Sequence, residues 1–430
     1  METHGGGGWE GELKIRIMNT VFNPSASTWM HIDLNSCFAT IEQQANPLLR
    51  GKPIAVAAYT TPRGCILAPS IEAKRYGVKT GMRVMEGKQL CPHLLILSSD
   101  PAKYRFINQK LTLLFSGYTP HLSVRSIDEV LLHFVHLPIL KEKTLHEIGS
   151  EIKTRIKKEV GDWLTVSVGI STNPYLAKLA ANIRKPDGLD EINGKNILSV
   201  LSRYKLTDLP YIKERNALRL SRVGVFTPLD FYLACAKKLK SAFESIQGDY
   251  WWRRLHGYSV DEIEWDRKSI GHSYALPKFT RDTKILEKLL CKLVVKMGSR
   301  LRKNRFTCRG IHVACEYSDW SFFHHGHTFP HSLYTDGELF CAAKYILSTF
   351  PAIKPVRNLA VSCFSLANDL YGQMTIFTDE EKRRRLTAAV DTVNGRWGEF
   401  AVVPATMIGM DNTILDRISF GGVRDMVNVV

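Results

Sequence analysis

Three acidic residues in two short apolar stretches are the first candidates for chemistry. Asp128 and Glu129 stand side by side in Ser126-Ile127-Asp128-Glu129, with Val124 before them and Val130, Leu131 and Leu132 after. Asp33 closes another apolar run, Trp29-Met30-His31-Ile32. Adjacent carboxylates repel, and keeping both ionised in an apolar frame is costly unless a cation lies between them. Acids that converge from separate strands are ligands for a hard cation such as Mg²⁺. On spacing alone, a solvated Asp-Glu turn explains 126–129 more simply, so support has to come from the rest of the chain.

The flanking patterns say what would position such acids. Residues 27–34 read as a strand ending at Asp33, and Asn35 through Gln43 as a helix start with Asn35 or Ser36 as its cap. A strand running into a helix N-terminus gathers free N–H groups beside a carboxylate, which suits a metal-bound phosphate. An ordinary capped corner has the same sequence. Residues 53–57 and 64–68 look like strands, and 70–77 like a helix stopped by Gly77. That helix carries Lys74 and Arg75, which are either phosphate contacts or a solvated face. An amphipathic helix at 101–118 leads into a hairpin at 123–134 with the acids at its bend. A helix at 144–160, a strand at 164–170 and a helix at 175–182 follow, running into Arg184-Lys185-Pro186-Asp187-Gly188. This order predicts an α+β sheet with helices packed on one face.

Residues 201–258 read as short helices punctuated by Gly224 and Gly248, a helix-hairpin-helix-like arrangement or a plain helical subdomain. Beyond them, helical periodicity covers 281–302, 335–349 and 379–397, with strand-like runs at 308–317 and 357–366. His324, His325, His327 and His331 have a metal-like composition but no acid partners at fixed spacing, and a solvated cluster is the simpler reading.

The chain has 430 residues, enough for two to four domains. Its 58 Lys and Arg against 42 Asp and Glu leave a charge of +16, with a pI near 9.4. Such an excess speaks of partners rather than fold, and the commonest partner is nucleic acid. No run of 18 or more apolar residues, signal-peptide core or lipidation box competes with that reading. A soluble, cytoplasmic, nucleoid-associated monomer is the expectation. The nine cysteines form no C-x-x-C pair, which argues for buried free thiols rather than a zinc knuckle.

The ordered motifs resemble the Y-family (translesion) DNA polymerases, closest to the bacterial DNA polymerase IV branch. They are His31 through Ala39, Glu72 through Met82, Ser126-Ile127-Asp128-Glu129, Val168-Gly169-Ile170-Ser171 with Leu176-Ala177-Lys178, Lys185-Pro186-Asp187-Gly188, and Lys268-Ser269-Ile270-Gly271-His272. The resemblance spans about residues 28–405. It implies a right-hand architecture after a flexible tail at 1–26. The palm would be 27–40 and 99–199, the fingers 41–98 and the helical thumb 200–262. A linker at 263–267 would lead to an α/β little finger at 268–430. It further implies template-directed, low-fidelity DNA synthesis with two Mg²⁺ ions, primer-template DNA and dNTPs, and no proofreading. Asp33 and Asp128 would bridge the ions, with Glu129 on the primer-side metal and the Leu34 carbonyl as a backbone ligand. Ser36, Cys37, Lys74 and Lys185 would hold the triphosphate, and Phe38 would be the steric gate against a ribose 2′-oxygen.

This chain also departs from the family pattern. Ile71 and Lys74 stand where many relatives carry Tyr and Arg, so a hydroxyl contact is lost and a point charge replaces a bidentate fork. The stretch Leu209-Pro210-Tyr211-Ile212 lacks the glycine pair of the first thumb hairpin. Gln373-Met374-Thr375-Ile376-Phe377 resembles the peptide that docks replication proteins on the bacterial sliding clamp, with Gln373, Ile376 and Phe377 as anchors; an exposed loop is the alternative. A non-catalytic DNA-binding adaptor of the same family is the competing function, set apart by loss of the acids.

Overall fold

Met30, Ile32 and Leu34 alternate with His31 and Asp33, so Trp29–Leu34 has one apolar face, and it forms the central strand of the first sheet. The structure, a computed structural model, describes residues 22–260, 267–351, 354–368, 378–410 and 413–414. They fall into two units, one ending at 260 and one beginning at 267.

The first unit opens with β1 (Trp29–Leu34), α1 (Cys37–Ala45), β2 (Ile54–Ala57), β3 (Ile66–Pro69), α2 (Ile71–Arg75), α3 (Val84–Leu90) and β4 (Leu95–Ser98). It continues through α4 (Pro101–Ser116), β5 (Leu122–Val124), β6 (Glu129–His133), α5 (Leu145–Arg155), β7 (Val166–Ser171), α6 (Pro174–Ala180) and β8 (Leu189–Ile192). Short helices α7 (Ile197–Leu201), α8 (Glu214–Ser221), α9 (Pro228–Leu233), α10 (Ala236–Phe243) and α11 (Gln247–Leu255) complete it. The main sheet has the order β5-β6-β1-β7-β8, with β1 antiparallel to both neighbours. A three-stranded sheet, β3-β2-β4, packs a small core of its own around Ala55, Ile66, Val78 and Leu94.

The two faces of the main sheet are used differently. Met30, Ile32, Val130, Leu132, Val168 and Ile170 bury against Tyr104, Ile107 and Leu111 of α4 and Ile148 and Ile152 of α5. The opposite face carries His31, Asp33 and Glu129, and α6 lies across it, so helices cover both faces rather than the one expected. Gly169 makes that approach possible: a Cβ there would lie 2.0 Å from the Ala177 carbonyl oxygen and 2.2 Å from the Ala181 nitrogen.

Other features also differ from the sequence reading. Residues 22–26, read as the end of a mobile tail, are tied down: Asn23 donates from its backbone N–H to the His256 carbonyl (2.8 Å) and from its side chain to the Gly257 carbonyl (2.9 Å). Neither Asn35 nor Ser36 caps α1 through its side chain, because Ser36 takes a left-handed conformation (φ 49°) and Asn35 is engaged elsewhere. Nor are all the thiols buried, since Cys65, Cys235 and Cys341 are exposed.

The second unit comprises β9 (Ser269–Thr280), α12 (Thr283–Lys303), β10 (Phe306–Tyr317), β11 (Phe322–Leu333), α13 (Asp336–Ser348), β12 (Val356–Asn368) and α14 (Thr378–Trp397). Its sheet, β11-β10-β12-β9, is antiparallel, and apolar residues of α12 and α13 bury one face. Strands β9 and β11 escaped the sequence reading. β11 is an exposed edge that tolerates Gly326 and Pro330, so it shows no apolar alternation. It carries the histidine cluster, of which His324 meets His312 of β10 at 3.0 Å between ring nitrogens. Among the described residues no helix is long and apolar enough to cross a membrane.

The glycine contacts give a paired prediction. Gly169→Ala should lower stability by about 3 kcal/mol in chemical denaturation, since α6 has to move. Gly395→Ala, in an exposed stretch of α14 with nothing within 4 Å, should raise it by about 0.5–1 kcal/mol. Equal effects at the two positions would refute the close-approach argument.

Candidate active site

The register of the central strands brings the acids together. Asp33 lies directly across from Glu129, and the Leu34 N–H donates to the Asp128 carbonyl at 2.8 Å, so the acidic bend is stitched to the end of β1. Ser126 Oγ donates a short hydrogen bond to Asp128 Oδ1. Donor atoms of His31, Asp33 and Glu129 all lie within 4.8 Å of one another.

Two lysines meet this negative charge. Lys185 Nζ lies 2.8 Å from Asp33 Oδ2, and Lys178 Nζ lies 2.7 and 2.5 Å from the two Glu129 oxygens. The loop bearing Lys185 is pinned by Asn35, whose Oδ1 accepts the Asp187 N–H at 2.8 Å while its Nδ2 donates to Ser167 Oγ at 2.9 Å. Lys153 adds a bond to the Asp187 carbonyl at 2.5 Å.

The compensation is incomplete, and the titration behaviour shows it. Burial pushes Asp33 up to about 6, with Lys185 opposing and the neighbouring acids reinforcing. Burial also raises Asp128, against the bond from Ser126. Burial would raise Glu129 too, but the Lys178 ammonium outweighs it and holds that carboxyl below its ordinary value. Burial lowers His31 to about 3, leaving its ring neutral, and its Nε2 is buried without a hydrogen-bond partner, 3.8 Å from Glu129. Lys74 is lowered by burial and by Lys185. Buried carboxylates with unspent negative charge and several free lone pairs fit a hard divalent cation, which takes oxygen ligands.

Beside the acids lies a cleft of about 390 Å³, lined by Asp33, Leu34, Ser36, Cys37, Phe38, Leu67, Ala68, Lys74, Asp128, Glu129 and Lys185 among others. Ile71 and Arg75 line an adjoining cavity of about 370 Å³ together with Asp33, Lys74 and Lys185. Phe38 is buried on α1 and stacks on Tyr104 of α4, with ring centroids 4.4 Å apart and planes at 15°. Tyr104 donates its hydroxyl to Glu42 at 2.8 Å, and Glu42 also accepts from Lys103 at 2.6 Å. The Phe38 ring therefore rests on a side chain that is itself fixed.

Every site residue singled out in residues 33–185 faces this one region. Gln373, Ile376 and Phe377 lie outside the described residues. Sequence reading passed over Lys178, Asn35, His31 and Tyr104 as site residues. Lys178 was visible in the Leu176-Ala177-Lys178 motif, but nothing local links it to an acid 49 positions earlier.

Comparison with known proteins adds independent findings. The impB/mucB/samB family matches residues 32–182, and the C-terminal domain of that family matches residues 267–376. DNA polymerase IV of Pelotomaculum thermopropionicum is 30% identical over 394 residues, covering 90% of this chain and 96% of the relative. DNA polymerase IV of Yersinia enterocolitica is 32% identical over 288 residues, covering 66% of this chain and 80% of the relative. Among solved structures, a Y-family DNA polymerase chimera superposes with a TM-score of 0.69 at 24% identity, covering 79% of this chain and 99% of its own, a likeness of fold.

The raised Asp33 carboxyl has a signed consequence for stability. The folded value near 6 lies above the ordinary 3.8, so the folded chain binds this proton more tightly. Stability from this group is full below about pH 4, falls as pH rises to about 6, and is level beyond. In EDTA, urea denaturation of the wild type should lose about 2–3 kcal/mol across that window relative to Asp33→Asn. Parallel pH profiles for the two proteins would reject the assignment.

Proposed function

Because the chain belongs to the impB/mucB/samB family and is a Y-family DNA-directed DNA polymerase of the translesion type, we propose that Asp33, Asp128 and Glu129 form its catalytic metal centre. In this reading Asp33, Asp128 and Glu129 would hold two Mg²⁺ ions, with Glu129 serving the primer-side one and the Leu34 carbonyl as a backbone ligand. The single observation that supports it is the convergence of three part-buried acids on one cleft, with Lys178 paired to Glu129 and Lys185 to Asp33.

When bound, such ions activate the primer 3′-hydroxyl and neutralise charge on the triphosphate and the departing pyrophosphate. The protein's own residues do the rest. Backbone N–H groups at Ser36 and Cys37, at the start of α1, and the ammonium groups of Lys74 and Lys185 hold the triphosphate. Asn35 keeps the Lys185 loop in place for this. Phe38, braced by Tyr104, fills the space a ribose 2′-hydroxyl would need. The hydroxyl attacks the α-phosphorus in line, its proton leaves to solvent, and pyrophosphate departs.

The right-hand assignment follows the same reading, with palm at 27–40 and 99–199, fingers at 41–98, thumb at 200–262 and little finger at 268–430. The positive charge favours salt-sensitive, sequence-independent contact with the primer-template backbone. Gln373, Ile376 and Phe377 would dock the enzyme on the sliding clamp, a reading supported by that peptide's sequence. A monomer acting on the nucleoid in the cytoplasm completes the proposal. The adaptor alternative is not favoured, since all three acids are retained and the relatives bear polymerase names.

Primer extension tests the centre directly. Asp33→Ala and Asp128→Ala should each lower the rate by about a thousandfold or more while duplex affinity stays within about twofold. Retained extension in either variant would sink the assignment. Phe38→Ala should raise ribonucleotide use relative to deoxynucleotide use by at least about tenfold, about 1.4 kcal/mol of lost discrimination. The departures on α2 predict a further result: Ile71→Tyr combined with Lys74→Arg should lower the nucleotide KM several-fold, and an unchanged KM would count against triphosphate contact there.

A further inference from the structure

The lysine on Glu129 has no part in the mechanism above, yet it holds that acid more closely than any other group does. One ammonium, Lys178 Nζ, takes both carboxylate oxygens, at 2.7 and 2.5 Å. The ion pair is part-buried, with side-chain exposures of 21% for Lys178 and 20% for Glu129. The same ammonium lies 5.5 Å from the ring centroid of Tyr211. Tyr211 sits in the turn before α8, 65% exposed, with φ 65°. That left-handed conformation favours glycine and strains a bulky side chain, so the ring is kept there against the backbone's preference. The turn is fixed by Asn216, whose side chain donates to the Tyr211 carbonyl at 3.2 Å. Near the same carboxylate, 3.8 Å away, His31 Nε2 is buried and lacks a partner.

We propose that Lys178 is a displaceable counter-ion, which occupies Glu129 in the metal-free protein and gives way to a divalent cation, and that the Tyr211 ring is the ammonium's second seat. The inference rests on the reading that Glu129 serves a metal ion. An ammonium and a divalent ion cannot share the two oxygens of one carboxylate without strong repulsion, so occupancy by one excludes the other. The released ammonium keeps its cation–π contact with Tyr211, which lowers the cost of the exchange. Lys178 and Tyr211 are thus positioning residues: the lysine acts through Glu129, and the tyrosine acts through the lysine. A glycine at 211 would relax the turn and remove the seat.

The experiment is a Mn²⁺ titration of the full chain, without DNA or nucleotide, read by the electron paramagnetic resonance signal of free Mn²⁺. Lys178→Met, with Lys178→Gln as a second variant in case the first folds poorly, should bind Mn²⁺ at least about tenfold more tightly than wild type. Tyr211→Gly should bind it about two- to fivefold more weakly, with a thermal midpoint no lower than wild type, and Tyr211→Phe should match wild type. Unchanged or weaker Mn²⁺ binding in both Lys178 variants would overturn the counter-ion. Unchanged binding in Tyr211→Gly would overturn the seat, and a lowered midpoint there would mean that the tyrosine is structural. Asp128→Ala separates the two layers of argument. If it binds Mn²⁺ as well as wild type, the metal-centre reading itself fails. If it loses binding while the Lys178 variants do not gain any, only the counter-ion fails.

Discussion

Asp33 faces Glu129 across an antiparallel strand pair, with Asp128 at the adjoining bend. Like charges placed opposite each other oppose sheet formation, and here the sheet concerned is the main core of the first unit. The strands hold because their other face is apolar and deeply covered by α4 and α5, and because two lysines reach the acids from elements far away in the chain. Repulsion among the acids is thus the constraint around which neighbouring elements are set. α6 crosses the sheet closely enough to require glycine at 169, which brings Lys178 within reach of Glu129. The 184–188 loop is tied to Asn35 and Lys153, which brings Lys185 to Asp33.

Seen this way, the site is built by supporting contacts as much as by its acids. Asn35 gives up helix capping to bind the Lys185 loop, and Ser36 adopts a left-handed turn that carries the chain from β1 into α1. The aromatic wall follows the same logic, since Phe38 leans on Tyr104 and Tyr104 on Glu42. Such buried chains of contacts specify one geometry, and a change in any member propagates to the next.

Much of this was legible in the chain. The α+β class followed from the alternation of strand and helix periods, and the family followed from motifs in order. The meeting of Asp33 with Asp128 and Glu129 was foreseeable only from that order, because the local sequence at 126–129 reads more simply as a solvated turn. Other features were hidden for definable reasons. The Lys178–Glu129 pair spans 49 positions without a local signal. β11 is solvated on both faces at a sheet edge, so its residues show no alternation. The cap expected at Asn35 or Ser36 failed because a tertiary hydrogen bond outcompeted a local one at Asn35 and because Ser36 has a left-handed backbone.

The brace behind Phe38 has a consequence for how strictness is distributed in the proposed pocket. A ring backed by a second ring, itself moored to a carboxylate, cannot retreat to admit a larger sugar. Leu67 and Ala68, which line the same cleft, offer a small apolar surface with no hydrogen-bonding side chain to question a base. Under the proposed roles, firmness on one side and indifference on the other would make the pocket exacting about the sugar and lenient about the base.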